Sequence, residues 1–559
     1  MFFCRARLFY TTCFVSYALY SWRVFANIVE EDLPAAQSRF DTPFWIFKKV
    51  VLSFFGVGAK EGKFMMELEK LLQAIPYCQL MQADENTLHM EVKTIEQDSR
   101  QVQAGTLFVC VDGEVVDGHD YAQKAVASGA TVIVAERMLD DVAVPIVLVQ
   151  DGKRAMARLA AMFYGDPTAE MNLIGITGTN GKTTVSHLIE FILADHGATT
   201  GLIGTMYRKI GTEILETKNT TPDSLTLQKT FRQMRDVEVT TAVMEVSSHA
   251  LVQGRVYGSD YDVAVYTNLS QDHLDYHNTM EEYAHAKSLL FAQLGNQSSS
   301  KTKTAVINND DAYANFMMEA TSAHVLTYGI DKAATFRAAN IEISSKGTRF
   351  ELHFRGETFP VQLQLIGKFN VYNALAAIAA VYATDEAPNT MAEIIASLEK
   401  VTGVAGRFEL VDAGQQFPVI VDYAHTPDGL ENVLKTVGEF AKGRIFVVVG
   451  CGGDRDKGKR PLMAQIAVKY ATDPVFTSDN PRTEDPTQII EDMLAGVPDA
   501  NYTVKEARHE AIVYAVEAAK PEDVILIAGK GHETYQIIGD VVHDFDDRKE
   551  ARAAILAKR

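Results

Sequence analysis

The chain has 559 residues, 53 of them basic and 73 acidic, for a net charge of −20. That length fits about three or four domains, and the acidity excludes a general nucleic-acid or anionic-membrane surface. Five scattered cysteines (Cys4, Cys13, Cys78, Cys110 and Cys451) form no metal-ligand pair and fit a reduced, cytoplasmic setting.

The first 64 residues differ from the rest. They hold both tryptophans, Trp22 and Trp45, and carry eight basic against five acidic residues, leaving −23 for the remainder. Phe2 to Phe25 is apolar but broken by Arg5, Arg7 and Arg23, which makes a poor membrane span. It also lacks a clean small-residue cleavage site, so it is a weak signal peptide. Lys60-Glu61-Gly62 can be encoded by a purine-rich bacterial ribosome-binding sequence just ahead of Met65 and Met66. The expectation is that residues 1–64 are upstream DNA read from a misplaced start, and that the chain opens at Met65 or Met66. A genuine membrane-associating extension is the competing reading.

Residues 65–168 alternate short apolar runs (Thr106–Val111, Ala130–Ala135, Val144–Val149) with helical patterns, predicting a small α/β domain. Residues 169–402 follow as a second domain, with strands at Thr241–Met244, Val263–Thr267 and Thr304–Ile307. From 403 to 559, strands at Val419–Val421, Ile445–Val449, Val475–Thr477 and Val524–Ile527 alternate with helices near Pro427–Val437, Arg460–Tyr470, Pro486–Leu494 and Arg508–Ala519. Such alternation predicts a parallel sheet covered on both faces, with ligands gathered at the carboxyl ends of its strands.

The second domain opens with Thr177-Gly178-Thr179-Asn180-Gly181-Lys182-Thr183-Thr184, between an apolar run and a helical pattern. Strand, glycine-rich loop, Gly-Lys-Thr and helix is the layout of a phosphate cradle. Backbone N–H groups and the helix N-terminus face the phosphates, Lys182 supplies a cation, and the Thr183 hydroxyl can ligate Mg²⁺. The common spacing would put a first glycine where this chain has Ile176. The motif predicts ATP or GTP as a ligand.

Two further strands end in polar segments. Met244-Glu245-Val246-Ser247-Ser248-His249 places an acid where phosphate-binding domains hold or orient Mg²⁺, against the alternative of a strand-capping glutamate. Thr267 to Asp275 offers His273 as a metal ligand, although a lone histidine is more often structural. Lys287, in a helix with one apolar face, reads on its own as a solvated lysine. In the last domain, Asp422 to Pro427, Gly450 to Lys457, Ser478-Asp479-Asn480-Pro481-Arg482 and Gly529-Lys530-Gly531-His532-Glu533 each follow a strand. Each alone fits a polar turn. Together they converge on one cleft, where Arg455 and Arg482 can clamp carboxylates and the neighbouring acids can hold an ammonium group. That pairing suits an amino-acid substrate.

With these segments, and with Asn219-Thr220-Thr221-Pro222 and Gly406-Arg407-Phe408-Glu409, the chain from about Met66 resembles the Mur ligase family of peptidoglycan synthesis. The resemblance implies three α/β domains: a UDP-binding domain, a central P-loop ATPase and a Rossmann-like C-terminal domain. It implies that ATP phosphorylates the side-chain carboxylate of UDP-N-acetylmuramoyl-L-alanyl-D-glutamate, and that the amine of meso-diaminopimelate attacks the acyl phosphate.

By the same resemblance, Thr183 and Glu245 serve one Mg²⁺ and His273 a second. Lys287 matches a lysine that relatives carry as a carbamate, which acts as a metal ligand. Lys182, Glu245, His273 and Lys287 form the expected catalytic set. Gly178 to Thr184, Asn370, Arg407 and His425 match nucleotide contacts. Ser99, Asn219, Thr220, Thr221, Ser247, Gln253 and Arg255 match positions that hold the UDP-muramoyl dipeptide. Arg455, Asp479, Asn480, Pro481, Arg482, Gly529 and Glu533 match the diaminopimelate pocket. Relatives with Asp-Asn-Pro-Arg add diaminopimelate, whereas lysine-adding relatives lack that arginine.

A lysine-adding enzyme, a folylpolyglutamate synthase-like ligase or another Mur ligase, and a P-loop switch are the competing readings, disfavoured by Arg482, by the Asn-Thr-Thr-Pro and Asp-Asn-Pro-Arg segments and by the distant amino-acid pocket respectively. The implied enzyme is a cytoplasmic ligase, expected as a monomer, with no nucleic-acid partner and no stable membrane association.

Overall fold

The computed structural model describes residues 65–113, 116–295, 301–344, 346–388 and 390–558. The expected non-coding origin of residues 1–64 therefore lies outside the described residues. Among those residues no helix is long and apolar enough to cross a membrane.

Three main sheets follow one another along the chain. The first has five strands in the order Gln79–Met81, Ile146–Leu148, Ala130–Ala135, Thr106–Val109 and Thr94–Glu96, parallel except at the Gln79 edge. The apolar runs seen in the sequence are its inner strands, and Ala130–Ala135 is almost wholly buried.

The second sheet has eleven strands. Its centre is parallel, running Thr200–Ile203, Thr241–Glu245, Asn172–Thr177, Val263–Tyr266, Thr304–Asn308 and His324–Gly329. Every residue of Asn172–Thr177, Val263–Tyr266 and Thr304–Asn308 is buried, as expected of strands covered on both faces. Helices Lys182–Asp195 and Lys368–Tyr382 pack together on one face; the alanine-rich second helix allows close approach. The sheet ends in an antiparallel meander of Phe336–Ser344, Gly347–Phe354 and Glu357–Leu363 that the pass along the sequence did not predict. Its strands alternate buried and exposed residues, a weaker signal than the continuous apolar runs at the centre.

The third sheet has six strands in the order Glu409–Leu410, Val419–Asp422, Val524–Ala528, Ile445–Val449, Asp473–Phe476 and Thr503–Val504, parallel except at the Glu409 edge. Helices Pro427–Phe440, Lys459–Tyr470, Pro486–Leu494 and Arg508–Ala518 connect and cover it. Helix Pro427–Phe440 starts where its sequence dictates, since Pro427 occupies the first turn and the Thr426 hydroxyl accepts from the N–H of Gly429. A hairpin, Tyr535–Ile538 with Val541–Asp544, and a last helix, Asp547–Lys558, complete the chain.

Candidate active site

Strand Asn172–Thr177 delivers the phosphate loop. Gly178 has φ +147° and Gly181 φ +88°, values that disfavour any other residue. A Cβ on Gly178 would overlap the Thr267 hydroxyl, and one on Gly181 would lie 2.5 Å from Asn373 Oδ1. The neighbouring strand end holds the loop in place. Asn180 N–H donates to Asn268 Oδ1 at 3.0 Å, and the Thr267 hydroxyl donates to Asn180 O at 2.6 Å. Lys182 Nζ folds back onto Gly178 O and Thr179 O at 2.9 Å each, filling the cradle with its own cation.

Glu245 ends the adjacent strand and is fully buried. It accepts from Thr205 N–H, from the Thr205 hydroxyl and from the Thr183 hydroxyl, each at 3.0 Å. Gly204 must lack a side chain there, because its Cβ would collide with the carboxylate. Arg407 arrives from the start of the third sheet and donates from Nη2 to Thr183 Oγ1 at 3.0 Å, while its guanidinium lies 4.3 Å from the Tyr423 ring centroid. A buried carboxylate and a hydroxyl beside a phosphate loop are hard oxygen donors and fit Mg²⁺. Arg407 adds a positive charge beside them.

His273 stands in the cavity wall at the start of helix Leu274–His277, in the left-handed region at φ +54°. Burial lowers its pKa to about 4, partly opposed by Asp272, so it is a neutral imidazole at neutral pH. Lys287 corrects the solvated-lysine reading. It is 1 % exposed, donates from Nζ to Gly178 O at 2.8 Å and lies 4.4 Å from the Tyr283 ring centroid. Burial and the nearby Lys182 push its amine well below the ordinary lysine range. The helical pattern misled because its apolar face and this lysine share the side turned inward.

Burying an amine of this kind costs stability, since it gives up its hydration for a single backbone acceptor, so Lys287→Met should raise the melting temperature in CO2-depleted buffer, by about 1–3 kcal/mol of stability. Gly178 O keeps its bond from Lys182 in that variant. A lower melting temperature would show that Lys287 stabilises the fold.

One cavity of about 960 Å³ joins these groups to the third sheet. Thr179 to Thr184, Glu245, His273, Arg407 and His425 line its nucleotide end. Asn219, Thr220, Thr221, Ser247, Gln253 and Arg255 line a second side. There Arg255 donates from Nε to Gln253 Oε1 at 2.8 Å and from Nη1 to Thr221 O at 3.0 Å, tying the two segments together. Arg455, Asp479, Asn480, Arg482, Gly529 and Glu533 line the third. Gly529, at φ +117°, passes so close to Asp479 that a Cβ would lie 2.6 Å from Oδ2. Asn180 Nδ2 bridges the two sheets by donating to Asp428 Oδ2 at 2.8 Å.

Five expected residues do not line this cavity: Gly178, Lys287, Ser99, Asn370 and Pro481. Gly178 opens the loop, and Lys287 sits immediately behind it, bonded to Gly178 O. Ser99 is buried after strand Thr94–Glu96, and Pro481 is buried within its own loop. Asn370 spends its amide on Ile366 O at 2.9 Å and its Oδ1 on Asn373 Nδ2 at 3.1 Å. Asn373, one turn further along helix Lys368–Tyr382, is the residue that faces the cavity. Sequence reasoning missed it, and also missed Thr205, Tyr423 and Asp428. The i, i+3 pair Asn370/Asn373 inside an alanine-rich helix was the available signal.

Comparisons with known proteins cover almost all of this chain from the first sheet onward. Residues 91–164 match the model "Mur ligase family, catalytic domain", 176–381 the "Mur ligase middle domain" and 406–531 the "Mur ligase, glutamate ligase domain". A UDP-N-acetylmuramoyl-L-alanyl-D-glutamate--2,6-diaminopimelate ligase of Listeria innocua is 63% identical over 495 residues, 88% of this chain and 99% of that protein. The ligase of the same name from Halalkalibacterium halodurans is 58% identical over 465 residues, 83% of this chain and 94% of its own length. A solved structure bearing that name is 35% identical, with a TM-score of 0.64 over 88% of this chain and 99% of that one. A folylpolyglutamate synthase of Mycobacterium tuberculosis shares the fold at 20% identity, with a TM-score of 0.56 over 73% of this chain and 95% of its own.

Proposed function

This chain belongs to the Mur ligase family, and from that premise we propose that it adds meso-2,6-diaminopimelate to UDP-N-acetylmuramoyl-L-alanyl-D-glutamate, driven by ATP. The observation that carries the reading is the single cavity running from the phosphate loop to Arg455, Arg482 and Glu533. A nucleotide switch has no use for an arginine and acid pocket opening into the same space.

A carboxylate is a poor electrophile, so the reaction needs a leaving group. The γ-phosphoryl of ATP passes to the D-glutamyl side-chain carboxylate, its bond to the β-phosphate breaks, and ADP leaves. The amine of diaminopimelate then attacks the acyl carbon, loses a proton, and phosphate departs as the amide forms. The loop N–H groups and Lys182 hold the phosphates and neutralise charge on the moving group. Thr183 and Glu245 are the residues that would hold Mg²⁺, with His273 and a carbamylated Lys287 serving a second ion. A metal held there would supply charge neutralisation for the phosphoryl transfer.

Burial favours the neutral amine of Lys287, which is the form that adds to CO2; an N–C bond forms and a proton leaves. The product is an anion beside Lys182, whose positive charge disfavours a second ammonium there and attracts a carbamate. Asn219 to Thr221, Ser247, Gln253 and Arg255 would grip the muramoyl dipeptide. Arg482 and Arg455 would take the distal carboxylate of diaminopimelate, and Asp479 and Glu533 its ammonium group. Nucleotide-linked substrates and ATP support a cytoplasmic reaction.

ADP release tests this directly, measured with the UDP-muramoyl dipeptide and either meso-diaminopimelate or L-lysine. Release should depend on diaminopimelate and be much slower with lysine. Turnover that is indifferent to the amino acid would overturn the proposal.

A further inference from the structure

The loop that contains Arg482 does not stand by itself. Arg482 is a non-glycine residue at φ +51°, a conformation that persists only where its surroundings enforce it. The enforcing element is the hairpin Tyr535–Asp544, whose first strand runs alongside the loop. Arg482 N–H donates to Ile537 O at 3.1 Å, and Gly539 N–H donates to Arg482 O at 2.7 Å, so both backbone groups of Arg482 are bound by the hairpin. Gln536, 9 % exposed, donates from Nε2 to Asp479 O at 2.6 Å.

Asn480 is the hub between this hairpin and the neighbouring loop. Its Oδ1 accepts from Ile537 N–H at 3.0 Å and from Lys530 Nζ at 3.2 Å, and its Nδ2 donates to Glu533 Oε2 at 2.9 Å. Lys530 is completely buried and pairs with the same Glu533 oxygen at 3.0 Å. Every polar atom of the Asn480 side chain is thus engaged inside the protein, although the residue lines the cavity. The Lys530 ammonium has two acceptors and lies 5.5 Å from the Tyr535 ring centroid. It does not line the cavity.

We propose that Lys530 and Gln536 are positioning residues for amino-acid selection: through Asn480 and the hairpin they fix the distance between the Arg482 guanidinium and the Glu533 carboxylate. Resting on the diaminopimelate reading, this makes the spacing of one cation and one anion the measuring device for the substrate. A diamino diacid presents a carboxylate and an ammonium group at a fixed separation at its far end, whereas lysine presents only an ammonium. Lys530 sets the Glu533 side of that ruler and Gln536 the Arg482 side. Neither needs to touch the substrate.

The test uses the full chain with Lys530→Met and Gln536→Met, both close in shape and lacking the donor. KM is measured for diaminopimelate and for ATP, together with the kcat/KM ratio of diaminopimelate to L-lysine. The expected result is a rise of about tenfold or more in KM for diaminopimelate, since small misplacements at a site cost that much or more. The preference over lysine should fall by a similar factor, with KM for ATP nearly unchanged. Lys530→Arg, which keeps a donor, should restore part of the loss.

Equal shifts in both KM values, or an unchanged preference for diaminopimelate, would overturn the inference and leave a merely structural role. Should Lys530→Met fail to fold, Gln536→Met decides the same question by the same ratio. An unmodified enzyme that does not select diaminopimelate defeats the functional reading itself, which separates the two failures.

Discussion

Arg482→Ala should weaken diaminopimelate binding by about 2–5 kcal/mol, read as a rise in its KM, while KM for ATP stays close to the unmodified value. The size follows from what the substitution strands. A guanidinium meets a carboxylate with two parallel N–H bonds, and its removal leaves the carboxylate facing a cavity wall that contains Asp479 and Glu533. In the structure Arg482 Nη1 donates to Gly453 O at 2.7 Å, which anchors the side chain and leaves further N–H groups for a ligand. Arg482→Lys should recover little, since an ammonium group cannot make the paired contact. The substitution lies far along the chain from the phosphate loop, so a comparable rise in KM for ATP would remove Arg482 from the amino-acid pocket.

The legible part of this molecule was its buried parallel strands and the loops at their ends. Residues 173–176, 132–135 and 445–449 are continuous apolar runs because both faces are covered, and such runs stand out in a sequence. Glycine and lysine spacing marked the phosphate loop for the same reason: backbone conformation there leaves few residue choices. The hairpin at Tyr535–Asp544 gave no such signal. Its second strand, Val541–Asp544, is exposed throughout, so no apolar alternation picks it out, although it supports the loop of Arg482.

Long-range pairing was illegible for a different reason. Arg508 is completely buried and binds Asp547 through two nitrogens at 2.8 and 2.7 Å, joining helix Arg508–Ala518 to the last helix. Nothing in either segment announces the other. The same holds for Lys287. Its helix supplies the periodicity, but only the packing of that helix beneath Gly178 turns a lysine of ordinary appearance into a buried amine.

Glu245→Gln should lower kcat by about a hundredfold to a thousandfold and raise the Mg²⁺ concentration needed for half-maximal rate. The change is nearly isosteric, so the argument concerns charge and hydrogen-bond direction. Glu245 accepts three bonds, from Thr205 N–H and from the hydroxyls of Thr205 and Thr183. A glutamine can accept on one side only, and its amide must meet donors on the other unless a hydroxyl turns. Thr183 also accepts from Arg407, so its hydroxyl proton is committed to Glu245.

Loss of the carboxylate therefore disturbs both donors of the expected metal site. Binding of the muramoyl dipeptide should change less than kcat. Thr221 is held through Glu245 O, a backbone atom at 2.8 Å that the substitution does not alter. A metal titration of steady-state ADP release separates the effects, with a thermal melt to verify folding. A folded variant with an unchanged kcat and Mg²⁺ requirement would confine Glu245 to capping its strand.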